Sequence, residues 1–239
     1  VNTLTSSGTD VLNSSTAFPV GTKNQNSGHW CAETTYDYFF NNHGRNSYNG
    51  AGAVMQTRVG GYGANAYWNG SYVTILDGDG GANSNSLATL DVVGHEWAHG
   101  VTQFNGTGGL VYSYESGALN ESFSDIFGTM VEYYTSGGYG DKFIGDDCWV
   151  TGGMLRNKAD PKSKGQQDTY LGTNWCSGPW DNGGVHCNSG VPNHWFYLLA
   201  EGSGATDGIN DNGDVFTVSG IGRGKAAAIA YRTLTTYLT

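Results

Sequence analysis

Charged residues are scarce in this sequence, and basic ones are the scarcest. Asp, Glu, Lys and Arg make up only 13% of the 239 residues, and 21 acids against 11 bases leave a net charge of −10. A chain with so few bases offers no basic stripe for a phosphate backbone or an anionic bilayer. The composition therefore argues against nucleic acid and membranes as partners.

Long apolar runs are also missing. No stretch reaches the 18 or so consecutive apolar residues that a membrane-spanning helix needs. No signal peptide is visible, and the opening "VNTLTSSGTD" resembles a processed N-terminus or a fragment. We expect no membrane span, and we expect a chain that is truncated, nicked or naturally short.

Cysteine is sparse too, at four residues. An even number together with few lysines is consistent with a secreted, oxidised protein, although three pairings are possible. Cys176 with Cys187 would close a short loop and is the favoured pair. That choice leaves Cys31 with Cys148.

What the sequence does contain is enough apolar and aromatic material for a core, at 38% and 13%. Helical spacing predicts helices over about 29–43, 87–104, 116–135, 191–202 and 222–239. Alternation over 52–76 predicts strands with a hairpin turn at Asn69-Gly70. Residues 1–28 indicate at most short strands and turns, and residues 136–188 indicate irregular chain. We predict an α+β fold with a β-rich N-terminal lobe (1–88), a mainly α-helical C-terminal lobe (89–239) and the 87–104 helix at the junction between them.

The stretch "VVGHEWAHGVTQF" carries the first chemical pattern. His95 and His99 are four residues apart and share one face of a helix, and Asp91 lies four residues earlier on the same stripe. Glu96 flanks the histidine pair. A bare His-Glu-x-x-His gives only roughly even odds of zinc binding.

A second stripe runs along the next predicted helix, where Glu121, Asp125 and Glu132 are spaced by four and seven. If the two helices are antiparallel, the side chains of one stripe face those of the other at successive levels along the pair. Glu121 then meets both histidines, Asp125 reaches the outer ring nitrogen of His95, and Glu132 lies near Asp91.

Each of the two groups of facing side chains suits a metal ion. Two imidazoles and one carboxylate are a catalytic zinc set with an open position, a carboxylate behind a ligating histidine orients it, and Glu96 is free to act as general base. Glu132 and Asp91, with acids from the 141–147 loop, suit calcium, which binds several oxygens.

These acids also have simpler explanations that involve no metal. Asp91 could cap its helix, and Glu121 and Asp125 could lie on a solvated face. However, the surrounding "GALNESFSDIFG" is otherwise small and apolar, which predicts burial, and buried unpaired carboxylates are costly. The joint pattern therefore favours zinc.

Several further stretches extend the pattern along the chain, and with them the sequence resembles the thermolysin-like neutral zinc metallopeptidases. These stretches are "NAYWNG" (65–70), "DGDG" (77–80), "DVVGHEWAHGV" (91–101), "ESGALNESFSDIFG" (115–128), "LRNKADP" (155–161), "DNGGVHCNSGV" (181–191) and "GIGRGKAAAIAYRTLTTYLT" (220–239). They occur in order over about residues 29–239.

The resemblance implies a role for each matching position. It implies that His95, His99 and Glu121 bind zinc and that Glu96 is the base.

It further implies that His186, held by Asp181, and Tyr112 stabilise the oxyanion. Arg156 would bind a substrate carbonyl, and Asn65 and Ala66 would hold the peptide backbone by strand addition.

The resemblance also implies a secreted monomer that acts on proteins and peptides and is made with a propeptide not included here. At least one structural Ca²⁺ is expected beside the catalytic Zn²⁺, with ligands Asp91, Glu132, Asp141 and Asp146.

Some positions depart from the family pattern. Asn83 and Ser86 lie where larger apolar residues commonly wall the pocket for the residue after the scissile bond. Val92, Ile144 and Leu155 still predict a hydrophobic preference there, though a looser one.

Two other functions stay open from the residues. A non-catalytic binding module would have lost Glu96 or the third ligand, and neither is lost. An aminopeptidase would need an acidic anchor for a free amine, and no dedicated motif for one is evident.

Overall fold

The computed structural model of the chain describes residues 1–9, 23–137 and 140–239. The helices are α1 Lys23–His43, α2 Leu90–Gln103, α3 Tyr114–Thr135, α4 Asp181–Asn188, α5 Gly190–Glu201 and α6 Arg223–Thr236. The strands are β1 Asn2–Thr5, β2 Gln56–Val59, β3 Ala66–Trp68, β4 Val73–Ile75, β5 Phe143–Ile144 and β6 Arg156–Asn157.

The first lobe is built on a four-stranded sheet in the order β1-β2-β4-β3. β1, β2 and β4 are parallel, and β3 returns antiparallel to β4 as an edge strand. The predicted hairpin turn is confirmed, because the Asn69 amide donates to the Tyr72 carbonyl at 3.2 Å and the Asn69 side chain accepts from Ser71 and Tyr72. The sheet therefore offers the free edge of β3 to the cleft.

Helix α2 joins two hydrophobic cores. Val93 and Trp97 pack with the sheet in the first-lobe core, whereas Ala98 and Val101 pack with α3, α5 and α6 in the second. Trp97 is fully buried, and its indole nitrogen donates to Thr57 at 3.3 Å. Trp97 therefore serves packing between the helix and the sheet.

Two glycines allow α2 and α3 to approach at backbone distance. A Cβ added at Gly128 would lie 2.4 Å from the Asp91 carbonyl oxygen, and one at Gly94 would lie 3.1 Å from the Gly128 Cα. Any side chain at Gly128 would collide with main chain that has no room to move. This contact holds the two helices antiparallel and close.

The predicted fold class is confirmed: a sheet-containing first lobe precedes a mainly helical second one. The domain boundary at residue 88 remains a prediction. None of the helices in the described ranges is long and apolar enough to span a membrane.

The structure differs from the prediction in two segments. Helix α1 begins at Lys23, six residues before the predicted start, because its polar first turn is held by tertiary contact, with Asn24 donating to Asp77 at 2.9 Å. The 136–188 region, predicted to be irregular, contains the β5–β6 pair and α4. The predicted turns at 10–22 lie outside the described residues.

The disulfide prediction is half right. Cys176 and Cys187 are bonded, as predicted. The predicted Cys31–Cys148 pair is wrong in this structure, since both are free, buried thiols. Each has another partner: the Cys31 thiol lies 3.7 Å from the Ala88 carbonyl, and that of Cys148 lies 3.6 Å from the Thr89 hydroxyl.

Candidate active site

A cleft of about 1100 Å³ runs between the two lobes. The edge strand β3 forms one wall, α2 lies along the floor, and the start of α4 faces the sheet across the opening. Residues expected at the site and found on its walls are Asn65, Ala66, His95, Glu96, His99, Tyr112, Glu121, Arg156, Asp181 and His186.

Three side chains converge at the floor of this cleft. The Nε2 atoms of His95 and His99 are 3.0 Å apart. The carboxylate of Glu121 lies 3.6 Å from His95 Nε2 and 3.4 Å from His99 Nε2. The predicted meeting of Glu121 with both histidines across the antiparallel helices is therefore present, with two imidazole nitrogens and a carboxylate directed at one point.

The outer nitrogen of each histidine is also held. Asp125 Oδ1 lies 2.8 Å from Nδ1 of His95, as the stripe predicted. Asn120 Oδ1 lies 2.7 Å from Nδ1 of His99. Asp125 is in turn fixed by Asn193, whose amide donates to its second oxygen at 2.7 Å. Each ring is thus locked in orientation with Nε2 facing the cleft.

The electrostatics show a carboxylate kept ionised despite burial. Burial alone would raise the pKa of Glu121, but His99, His95 and Arg156 outweigh it and lower the pKa to about 2. Burial lowers the pKa of His99, and the Glu121 carboxylate offsets only part of that effect. Burial also acts to lower the pKa of His95, but the hydrogen bond and charge of Asp125 outweigh it and raise that pKa. Two imidazole nitrogens and one carboxylate directed at one point are a zinc donor set, so these residues fit a zinc ion.

Glu96 lies beside this set without a place in its hydrogen bonding. Ligand atoms of His95, Glu96 and His99 all lie within 4.8 Å of one another. The Glu96 carboxylate accepts from the Trp68 main-chain N–H at 2.9 Å. The edge strand therefore fixes the position of this carboxylate at the floor of the cleft.

On the opposite wall, His186 is oriented by Asp181. One oxygen of Asp181 lies 2.6 Å from His186 Nδ1, and the other accepts from the His186 main-chain N–H at 2.8 Å. The Nε2 atom is 3.4 Å from the Tyr112 hydroxyl, which donates a short hydrogen bond to Glu121. His186 and Tyr112 thus meet above the Glu121 carboxylate.

A left-handed turn presents His186 to the cleft. The four residues 181–184 all have positive φ, between 50° and 93°. A Cβ at Gly183 would lie 2.5 Å from the Tyr114 ring, and one at Gly184 would lie 2.8 Å from the Cys176 Cβ. Only glycine satisfies both the conformation and the space at these two positions, which explains the "DNGG" before the histidine.

Arg156 was expected to face substrate, and the structure shows that it is first an ion-pair partner. Its Nη2 donates to Glu121 at 2.9 Å, and its Nε lies 3.2 Å from Asp125. The Arg156 guanidinium therefore links the Glu121 carboxylate to the Asp125 carboxylate that holds His95, in a largely buried network.

The same segments match a known family along nearly the whole chain. Residues 1–103 match the description "Thermolysin metallopeptidase, catalytic domain", and residues 108–239 match "Thermolysin metallopeptidase, alpha-helical domain". The chain belongs to the thermolysin metallopeptidase family.

Individual members of the thermolysin family agree with this. The chain is 45% identical to a bacillolysin from Bacillus caldolyticus and to a thermolysin from Alicyclobacillus acidocaldarius subsp. acidocaldarius, in each case over 88% of this chain and 37% of the relative. A solved structure of a protealysin precursor, a metalloproteinase from Serratia proteamaculans, shares 32% identity with a TM-score of 0.71, covering 83% of this chain and 67% of that one. The chain thus spans little more than a third of the curated thermolysin-family relatives it matches.

The apolar wall of the cleft is partly as expected for this family. Val92, Ile144 and Leu155 line the cleft, as predicted. Asn83 and Ser86, expected at the same wall, do not line it. The Asn83 amide turns back to Asp79 at 2.7 Å, and the Ser86 hydroxyl accepts from Ala88 at 3.3 Å.

Their places are taken by Ser84, Leu87 and Trp149, which do line the cleft. The wall is therefore more apolar than the sequence had suggested.

The far end of the α2–α3 pair gathers the acids predicted to bind calcium. Asp91 accepts from the main chain of Gly145 at 2.5 Å and of Val92 at 2.8 Å. The Glu132 Oε2 atom is buried with no hydrogen-bond partner among the described residues. Burial, and after it the charges of Asp91 and Asp141, raise the pKa of Glu132 to about 8.

These acids are near one another but do not form a closed ligand set. Burial raises the pKa of Asp146 to about 6, and that of Asp147 is raised by the same cause, with Asp91 contributing to both. Among the described residues, ligand atoms of His95, Glu96 and His99 lie within 4.8 Å of one another, whereas no three acids of this cluster do. An orphaned carboxylate oxygen among like charges fits a cation, although the oxygens are not assembled around one point.

Sequence reasoning missed four participants. Asn120 and Asn193 orient the zinc-site side chains, the Trp68 N–H holds Glu96, and Asp147 joins the acidic cluster. Only Asp147 carried a signal, as an acid beside the predicted Asp146.

Proposed function

We propose that this chain is the catalytic part of a zinc-dependent endopeptidase. The observation that carries the proposal is the convergence of His95, His99 and Glu121, with Glu96 beside them at the floor of an open cleft. Family membership supports it, and the residue roles below are part of the proposal.

His95, His99 and Glu121 would hold the zinc ion. When bound, zinc supplies a Lewis acid for the scissile carbonyl and for the attacking water. Asp125 and Asn120 keep the two rings directed at the ion, and Arg156 offsets the charge of Glu121.

Glu96 is the proposed general base. Its carboxylate takes a proton from the attacking water and passes it to the leaving nitrogen. The Trp68 N–H at 2.9 Å holds one oxygen, which leaves the other directed to the water.

His186 and Tyr112 are the proposed donors to the oxyanion. Asp181 orients the His186 ring by its contact with Nδ1, so that Nε2 faces the cleft. In the proposed reaction the oxyanion is met by His186 Nε2 and by the Tyr112 hydroxyl, which turns from Glu121 to the developing charge.

Substrate would bind as an added strand along β3. Asn65 and Ala66 lie at its free edge, and Nη1 of Arg156 is the nitrogen proposed to reach a substrate carbonyl. Ile144, Leu155 and Leu87 predict a hydrophobic residue after the scissile bond.

The remaining features of the proposal come from the family. We propose a secreted monomer that is made as a precursor, as the protealysin of the solved structure is. At least one calcium ion at Asp91 and Glu132, with Asp141 and Asp146 as further ligands, is included, supported by the orphaned oxygen of Glu132.

Casein hydrolysis with and without a zinc chelator tests the proposal. Glu96→Gln should reduce turnover about a thousandfold while zinc content stays at one ion per chain. Glu115→Gln, at an exposed glutamate of α3, is the matched control and should leave turnover unchanged. Full activity in Glu96→Gln would refute the assigned mechanism.

A second assay separates an endopeptidase from an aminopeptidase. Peptides with an acetylated N-terminus should be cleaved as fast as free ones, because nothing in the proposal needs a free amine. Cleavage confined to peptides with a free N-terminus would exclude the endopeptidase assignment.

A further inference from the structure

One lysine is buried where no sequence pattern placed a role. Lys158 is only 2% exposed and follows β6 directly. Its Nζ donates a short hydrogen bond to the Thr129 hydroxyl and a second one to the Phe143 carbonyl at 3.4 Å. Burying an ammonium group is costly unless opposite charges face it.

Its hydrogen-bond partners place Lys158 against the acidic cluster. Thr129 lies one turn before Glu132 on α3, so the ammonium lies on the same side of that helix. Phe143 belongs to the segment 141–145, in which the Asp141 carboxylate accepts from the Phe143 N–H at 2.7 Å. Asp91 holds the same segment through Gly145.

Asp125, another carboxylate near Lys158, already has other partners. Asp125 is the strongest opposite charge on Lys158, but it is also bonded to His95 and lies 3.2 Å from Arg156. In the cluster, by contrast, the buried Oε2 atom of Glu132 has no hydrogen-bond partner among the described residues. Burial lowers the pKa of Lys158 to about 8, and Asp91, Asp141 and Glu132 oppose that shift, as expected of an ammonium facing them.

We propose that Lys158 is a built-in counter-charge of the acidic cluster, which holds the metal-free fold together and weakens calcium binding there. The inference rests on the calcium site proposed above. A fixed positive charge beside the cluster reduces its attraction for a cation. It also supplies part of the charge balance that calcium would otherwise provide.

Calcium titration and melting temperatures test this with charge and shape separated. Lys158→Met and Lys158→Gln remove the charge, and the glutamine keeps a donor for Thr129 and Phe143. Both should bind calcium at least about tenfold more tightly than wild type, melt lower in a calcium chelator, and gain more from calcium. Lys158→Arg should behave as wild type.

Lys142→Met is the matched control, because it removes the same charge from the same hairpin at a partly exposed position. Affinities of both Lys158 variants within about twofold of this control would overturn the proposal. If Lys158→Met does not fold without calcium, Lys158→Gln against Lys158→Arg decides the question. Absence of calcium binding in every protein would remove the calcium site and this inference with it, whereas casein hydrolysis tests the peptidase proposal independently.

Discussion

The two ends of the α2–α3 pair carry similar ladders of ionisable side chains but differ in how those side chains are satisfied. At the zinc end, His95, His99 and Asp125 all have partners on their outer atoms. At the other end, Glu132 has a buried oxygen without a partner among the described residues, and its pKa is raised to about 8.

The difference indicates when each end is assembled. Side chains held by protein groups keep their geometry before an ion arrives, so the zinc end is preorganised. Carboxylates that repel one another stay apart until a cation brings them together. The acidic end should therefore be the part of the pair whose stability depends most on solution conditions.

Breaking the helix contact should affect both ends together. Gly128→Ala puts a Cβ 2.4 Å from the Asp91 carbonyl and should cost about 3 kcal/mol of unfolding free energy. Gly224→Ala, on α6 with nothing within 4 Å, is the control and should be neutral or slightly stabilising. Denaturant unfolding of the two variants makes the comparison; equal stability would show that the helices can shift without cost.

Asp125→Asn should act at the zinc end alone. An amide is a weaker acceptor for the His95 ring, and the charge balance with Arg156 is lost, so zinc affinity should fall about 10- to 100-fold. Competition with a chromophoric chelator measures this. The exposed Asp37→Asn on α1 makes the same change of charge and should have no effect.

Asn120→Ala should have a smaller effect at the same end. It removes a neutral acceptor from His99, and we expect zinc affinity to fall about tenfold. The contrast with Asp125→Asn measures whether carboxylate and amide supports differ. A loss larger than that of Asp125→Asn would reverse the assigned order.

Glu132→Gln should have the smallest effect and the opposite sign. The raised pKa of Glu132 shows that the fold opposes ionisation of this carboxyl, a cost that glutamine does not carry. The variant should therefore be more stable by about 1 kcal/mol in a calcium chelator, and the stabilisation by calcium should shrink. Thermal melts with and without calcium test this, with Glu115→Gln as control. A calcium response equal to that of wild type would remove Glu132 from the site.

The charged part of the site could be predicted from sequence because its spacing follows helix geometry. His95 and His99 on α2 are four residues apart, as are Glu121 and Asp125 on α3, so each pair shares one face of its own helix. Asn120 and Asn193 could not be predicted, since a neutral amide has no spacing signature and Asn193 reaches Asp125 from a different helix. The Trp68 N–H is a main-chain group that every strand possesses.

The same reasoning explains the limits for the fold. Helices with an apolar stripe, such as α2 and α3, were placed to within about three residues of their observed ends. The first turn of α1 is polar and depends on a contact between Asn24 and Asp77, 53 positions apart. The thiols of Cys31 and Cys148 were paired by elimination, which takes no account of the partners available in the fold.

The contact between Gly94 and Gly128 has a consequence for redesign. Because main chain, and not side chains, sets the separation of the two helices there, substitutions elsewhere on the facing stripes leave the frame at the same width. The helix pair then acts as a scaffold with a constant distance between α2 and α3. Other ligand sets could be installed at successive levels along the pair and compared at constant backbone geometry.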